Sequence, residues 1–322
     1  MLQVIRLWTL SLLLVAGGYA WLSGAQSASA PVVPKRINKA IELLEQGQPI
    51  YYTQINGGGY DEGRQLAKTW ADYVTYNFEH SAFNVSELNE FMRGLVDGGP
   101  TKSGHRTPAV ICVLPVAGLD ASMVRANAWM VEQVLSAGVH GVLLVHARSP
   151  EAVRVFIQAA RFPMHAQAVG NGLEEGLRGS GAAGNPARVW GVSPTEYLRL
   201  ADPWPLNPDG EILLGVKIED RHALEYAEAT TKVPGLGFAE WGPGDMSMSF
   251  GLSRNADGTW PKVLADARAR VLAATKAAGI SFLNVVRPDD VEVMIDEGVM
   301  IGAANEAAAE LGRRYTARAM PW

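Results

Sequence analysis

Two stretches decide the fold: LLGVKIED, Leu213–Asp220, and GFAEWGPGDMSMSFG, Gly237–Gly251. Leu213–Ile218 is an apolar, β-branched run that stops at an acid. Gly235–Trp241 is a second such run, ending in the turn Gly242-Pro243-Gly244 just before Asp245. Between them, Arg221–Lys232 reads as a helix. A strand–helix–strand unit of this length forces its strands parallel and brings their C-terminal ends to one edge. Glu219 and Asp245 are therefore expected to face one another. Two hard oxygen ligands converging at the open end of a parallel sheet suit Mg²⁺ or Mn²⁺, whereas acids at strand-to-helix junctions equally suit plain helix N-caps. The Gly-Pro-Gly turn favours the metal, because residues with such backbone demands aim a loop.

Outward from this unit, Pro49–Ile55, Tyr73–Phe78, Ala109–Val113, Gly141–His146, Ile280–Val286 and Val299–Ile301 complete a set of eight strands. Helical patterns lie between most of them, which predicts an α/β fold, a single (β/α)₈ TIM barrel. A doubly wound open sheet is the alternative. No Gly-rich dinucleotide fingerprint follows the first strand, where Asn56-Gly57-Gly58-Gly59 is only a flexible loop. The longest interruption, Phe162–Gly210, is rich in Gly, Pro and polar residues and is expected on the catalytic side, covering the site. Trp190, Trp204 and Trp241 are expected near the same face, serving either packing or a bulky, ring-bearing substrate.

The 322 residues are 48% hydrophobic and 19% charged, which describes an ordinary globular chain. A net charge of −5 leaves no footprint for nucleic acid, and the single cysteine, Cys112, excludes thiolate metal sites and internal disulfides. Met1–Ala30 differs in kind. Arg6 precedes an apolar run, Leu7–Ala16, and small residues at Ser23-Gly24-Ala25 and Ala28-Ser29-Ala30, a secretory signal pattern with cleavage expected after Ala25. The rival is an uncleaved anchor over Leu7–Leu22. Residues 1–30 are thus read as signal and linker and 31–322 as barrel, in a secreted or periplasmic protein.

Four segments carry a family resemblance: Ile218-Glu219, Gly242-Pro243-Gly244-Asp245-Met246-Ser247, Asn77-Phe78-Glu79-His80 and Arg178-Gly179. From about Arg36 to the C-terminus the chain resembles the metal-dependent 2-oxo acid aldolases, the family of the dihydroxyheptenedioate and deoxyglucarate aldolases and the citrate lyase β-subunits. The resemblance implies a barrel of the phosphoenolpyruvate/pyruvate type with Mg²⁺ or Mn²⁺ on Glu219 and Asp245. It makes His80 the general base that takes a proton from a substrate hydroxyl. It also puts Arg178 in a substrate loop and implies a homo-oligomer, commonly a hexamer, with C-terminal helices such as Glu306–Ala319 packed across subunits.

Several positions depart from the family pattern. Asn77 replaces an acid three residues before the histidine; it can orient an imidazole by hydrogen bonding but cannot stabilise its charged form as a carboxylate would. Val113-Leu114-Pro115 stands where the family has an arginine that holds the oxo acid. Lys217 replaces a glutamine, and His146, with Arg148 close behind, replaces a proline at the fourth strand end. Lys217 projects to the same face as Glu219. There it either substitutes for the arginine, forms a structural ion pair, with Glu240 as a partner, or, least in keeping with an intact metal pair, makes a Schiff base. His80, Lys217 and Arg178 are accordingly expected to be catalytic, and Asn77, His146, Arg148, Gly244 and Trp241 to bind substrate. The function expected is class II carbon–carbon cleavage or formation of a 4-hydroxy-2-oxo acid through a metal-stabilised enolate, with an oxo acid and an aldehyde as small-molecule partners. The alternatives are a lyase or decarboxylase on a bulky or aromatic substrate, and a non-catalytic binding protein on the same barrel.

Overall fold

The computed structural model describes residues 34–322, so the signal read at 1–30 lies outside the described residues. Eight parallel strands form the barrel: β1 (Ile50–Ile55), β2 (Tyr73–Asn77), β3 (Ala109–Ala117), β4 (Gly141–Val145), β5 (Ile212–Lys217), β6 (Phe238–Glu240), β7 (Ser281–Val285) and β8 (Val299–Ala303). Each pairs with the next, and Ile50 opposite Ile301 closes the ring. A further two-residue strand, Pro203–Trp204, runs beside the start of β5.

Period-two alternation sorts the side chains into two layers. Ile50, Ile111, Val113, Leu143, Leu213, Phe238, Leu283 and Ile301 fill the interior, while Tyr51, Val110, Cys112, Val142 and Leu214 pack beneath the helices. The interior layer runs on into Ala40, Ile41, Leu43 and Leu44 of the helix Lys39–Glu45, which stoppers the N-terminal end. Asn38 caps that helix by accepting from the Ala40 and Ile41 N–H groups. A helix of seven residues does not persist alone. Burying Ile41, Leu43 and Leu44 contributes roughly 2 kcal/mol each and holds it.

The long insertion lies at the opposite end from the one expected. After β4 the helix Pro150–Ala160 carries the chain back to the N-terminal end, so the segment before β5 begins and finishes there. Its backbone is tied down at that end: Leu177 N–H donates to Gln158 O, Arg178 N–H to Arg161 O, and Glu211 N–H to Leu200 O, each at 2.9 Å. Two short helices within it, Gly184–Trp190 and Pro194–Leu200, pack outside the barrel. Trp190 stacks on His140, the residue before β4, at 5.8 Å between ring centres. Trp190 and Trp204 are therefore both remote from the catalytic edge. Among the described residues, no helix is long and apolar enough to cross a membrane.

Candidate active site

Strand alternation turns Lys217, the last residue of β5, and Glu240, the last of β6, into the barrel as register partners. Ile218 and Trp241 turn outward into the apolar layer. Glu219 follows and is fully buried. Its Oε1 accepts from the His146 backbone N–H at 2.9 Å, while its Oε2 is buried with no hydrogen-bond partner. Gly242 lies against it with φ 44°, where a Cβ would stand 2.4 Å from the Glu219 Cβ. Both the conformation and the close approach require glycine.

Glu79 comes from the turn after β2. Lys217 Nζ donates to Glu79 Oε2 at 2.5 Å and lies 3.7 Å from Glu219 Oε2. Its salt-bridge partners are thus Glu79 and Glu219, whereas Glu240, the partner expected, acts on it only through charge. Burial would lower the Lys217 pKa, but Glu240, Glu219 and Glu79 together raise it above the usual lysine range. The surrounding acids favour the ammonium form, which works against a Schiff base at this lysine. Asn77 Oδ1 accepts from the Glu79 N–H at 2.9 Å, so it shapes the turn that presents Glu79 and does not orient an imidazole. His80 stands at the rim with its side chain 62% exposed and its Nε2 3.6 Å from Glu79 Oε2.

Across the mouth, Asp220 caps the helix Arg221–Glu225 and also takes two side chains: His146 Nδ1 and Arg148 Nε both lie 2.9 Å from its Oδ2. Burial would raise the Asp220 pKa, but hydrogen bonds from His146, the Ala223 N–H and Arg148 hold it below the usual carboxylate range. The hydrogen bond to Asp220, with the charges of Glu219, Asp220 and Asp245, outweighs burial at His146 and raises its pKa. His146 has φ 48°, one of three non-glycine residues with positive φ among those described. Backbone strain of this kind persists only where surrounding contacts impose it, here the bonds to Glu219 and Asp220.

Asp245 is half-buried in the first turn of the helix Pro243–Phe250. Among the described residues, the groups whose ligand atoms approach within 4.8 Å of one another are Glu79, His146 and Glu219, so Asp245 stands outside the tightest cluster. It still belongs to the same charge field. Burial first, and then Glu79 and Asp245, raises Glu240. Burial, with Glu240 and Glu79, pushes Glu219 up to about 7 against the pull of Lys217. Glu79, Glu219 and Glu240 thus share one ammonium, Asp245 adds its charge at Glu240, and Glu219 Oε2 accepts no hydrogen bond. That oxygen-rich surplus fits a hard divalent cation.

Residues 65–304 match the HpcH/HpaI aldolase/citrate lyase family. The chain belongs to this family. A hydroxypyruvate/pyruvate aldolase of Deinococcus radiodurans is 32% identical over 152 residues, 47% of this chain and 48% of that relative. The chain spans about half the length of the first curated relatives it matches. An HpcH/HpaI aldolase/citrate lyase family protein from Burkholderia cenocepacia shares the fold with a TM-score of 0.63 at 20% identity, over 86% of this chain and 96% of that one. Protein CitE of Mycobacterium tuberculosis, solved with magnesium and acetate, has a TM-score of 0.50 at 15% identity, over 85% and 93%.

Of the residues assigned to the site through the HpcH/HpaI resemblance and the tryptophan pattern, Arg178 is not brought to it, and Trp241 walls a neighbouring cavity instead of facing the acid cluster. Arg178 is buried in the insertion, donates to the Tyr197 hydroxyl at 2.8 Å and lies over the Phe162 ring at 4.2 Å. It ties the insertion to the helix layer. Trp241 turns out of the barrel, donates from Nε1 to Asn284 Oδ1 at 2.7 Å and meets Trp260 edge-on at 5.7 Å. Those two rings, with Arg254, Arg268 and Arg287, wall a cavity of about 540 Å³ that opens beside Gly244. Val113 is buried in the barrel interior, so the third strand offers apolar surface where the HpcH/HpaI pattern has a cation. Two acids had no role assigned from the sequence. Glu79 was visible inside the matched motif beside His80, and Asp220 as a second acid after Glu219.

Proposed function

We propose that this chain is a divalent-metal-dependent carbon–carbon lyase that cleaves or forms a 4-hydroxy-2-oxo acid. The observation that carries the reading is the surplus of carboxylate oxygen around Glu219 Oε2, which is buried and accepts no hydrogen bond, at the C-terminal edge of a barrel of this family. Glu219 and Asp245 would hold Mg²⁺ or Mn²⁺, which would supply Lewis-acid polarisation of the oxo acid carbonyl. His146, biased toward imidazolium by Asp220, would hold the substrate carboxylate in place of the arginine absent at Val113. Lys217 stays an ammonium and fixes Glu79 against the site. His80, open at the rim, would take the proton of the substrate hydroxyl as the carbon–carbon bond breaks. The electron pair of that bond passes to the oxo acid fragment, and the hydroxyl carbon leaves as an aldehyde.

Relatives named hydroxypyruvate/pyruvate aldolase support a short oxo acid as one half of the substrate. In the cavity beside Gly244, Arg268 and Arg287 are paired with Glu297 and Asp290, whereas the Arg254 guanidinium lies 3.7 Å over the Trp260 ring, which favours a bulky, ring-bearing group on the other half. The pattern at 1–30 supports export, and a mature N-terminus near Gln26 would agree with it. The deciding experiment is calorimetric titration with Mn²⁺ of the wild type, Glu219→Gln and Asp245→Asn, run beside turnover of a panel of 4-hydroxy-2-oxo acids. Unchanged Mn²⁺ affinity in both variants, or tight binding with no turnover of any member, would sink the reading.

A further inference from the structure

At the other end of the barrel the charge balance reverses. Asp72, fully buried before β2, is the hub: Arg318 Nη1 donates to both its oxygens at 2.8 and 2.9 Å, and the Tyr51 N–H to Oδ2 at 3.0 Å. Lys39 Nζ and Arg313 Nη2 each lie 3.4 Å from Oδ1. One carboxylate answers three cations. The side chains of Lys39, Arg318 and Arg313 are 0%, 1% and 7% exposed, so water does not take up the excess. Glu42, on the same helix as Lys39, is engaged by His105 Nε2 and by the Lys35 and Arg36 N–H groups.

Five buried polar atoms here have no hydrogen-bond partner: Lys39 Nζ, Tyr51 Oη, Arg313 Nε and Nη1, and Arg318 Nε. All five can donate. Idle donors and surplus positive charge in a dry environment are costly, and a group that supplies only acceptors relieves both costs at once. Burial accordingly pushes Lys39 down to about 8 and lowers Arg313. Beside the cluster is a cavity of about 340 Å³ lined by Arg313, Arg314, Arg318, Met320 and Trp322. The acid on its wall, Glu310, already faces Arg314 at 3.9 Å. The Trp322 ring covers the Arg313 guanidinium at 5.2 Å.

We propose that this cavity is an oxyanion site, in which a phosphate-type or carboxylate group seats against Arg313 and Arg318. The bound anion supplies acceptors to Arg313 and Arg318, which line the cavity and otherwise donate to Asp72 and to the Trp70 and Pro49 carbonyls; Lys39 and Tyr51 lie off its wall. The anion thereby ties the helix Glu306–Tyr315 and the tail after it to the N-terminal end of the barrel. The site is independent of the chemistry at the other edge.

The test is calorimetric titration of the full chain with inorganic phosphate and, separately, with acetate at constant ionic strength, beside thermal melts in the same buffers. Saturable binding is expected, with a melting temperature that rises by a few degrees as the anion replaces chloride. Binding of phosphate alone assigns the site to phosphate-type ligands, and binding of acetate alone to carboxylates. Arg313→Leu, which leaves the Arg318–Asp72 pair in place, should abolish the response, whereas Glu219→Gln should retain it. Should Arg313→Leu fail to fold, Arg313→Lys keeps the charge but loses the guanidinium fork and should bind more weakly. No saturable binding by the wild type, or an unchanged response in the Arg313 variants, overturns the proposal.

Discussion

At the C-terminal end of the barrel Glu79, Glu219 and Glu240 share Lys217, with Asp245 acting on Glu240; at the N-terminal end Lys39, Arg313 and Arg318 share Asp72. Both ends bury more of one sign than they balance, and each leaves polar atoms without partners. The physics is the same and the setting differs. The acids ring an open mouth at the strand ends, where a cation and a substrate can exchange. The bases lie under a helix and a tail, where the proposed anion would act on the fold. Unbalanced burial thus marks a site, and its place on the barrel tells catalysis from stability.

The largest effect should come from Glu219→Gln, and it should have two signs. Turnover in the presence of Mn²⁺ should fall by roughly three orders of magnitude or more in kcat/KM. Without metal the variant should melt higher than the wild type at neutral pH and above. Folding raises the Glu219 pKa from 4.5 to about 7, so its contribution to stability is complete below pH 4.5 and is lost as pH rises through 7; glutamine has no such loss. A variant that melts lower without metal at pH 8 would show that the acid surplus is not a cost.

Lys217→Met takes the ammonium out of the acid cluster. Breaking a largely buried pair costs about 3 kcal/mol, so the metal-free protein should lose roughly that much in urea unfolding, and Mn²⁺ should recover part of it. An unchanged midpoint with turnover abolished would return Lys217 to the catalytic role expected from the sequence. His146→Gln should act on substrate and not on the fold. KM for the oxo acid should rise about ten- to a hundredfold with kcat within a few-fold, and the reverse split would remove His146 as the carboxylate holder.

The last effect concerns the basic end. The Lys39 pKa falls from 10.5 in the unfolded chain to about 8 in the folded one, so the stability it costs below pH 8 is regained between pH 8 and 10.5. Melting temperatures of the wild type relative to Lys39→Met should therefore climb over that interval. A flat difference would mean that the basic cluster is already balanced.

Much of this was legible in the chain. All eight strands announce themselves as short apolar runs bounded by turns, and period-two alternation turns Lys217, Glu219 and Glu240 to one face. The side on which the insertion falls was not, because spacing between strands is silent about direction until the helix Pro150–Ala160 is counted. Register made Glu240 the natural partner of Lys217. The ammonium instead reaches Glu79, 138 residues away across the barrel, a contact no local pattern encodes. Arg178-Gly179 matched a motif, but which way an arginine points depends on the aromatic rings packed around it. The basic end escaped notice for the same reason as the Glu79 pair. Asp72 and Arg318 are 246 residues apart, and neither is unusual alone.

Gly242 and Gly244 stand two residues apart and answer differently to added bulk. A Cβ at Gly242 would collide with Glu219, whereas one at Gly244 would meet nothing within 4 Å. For redesign, the first is a fixed point and the second an adjustable one. Side chains introduced at 244 would crowd the mouth of the arginine-lined cavity without disturbing the turn that lies against Glu219. A library confined to that single codon would sample selectivity while leaving foldability almost untouched.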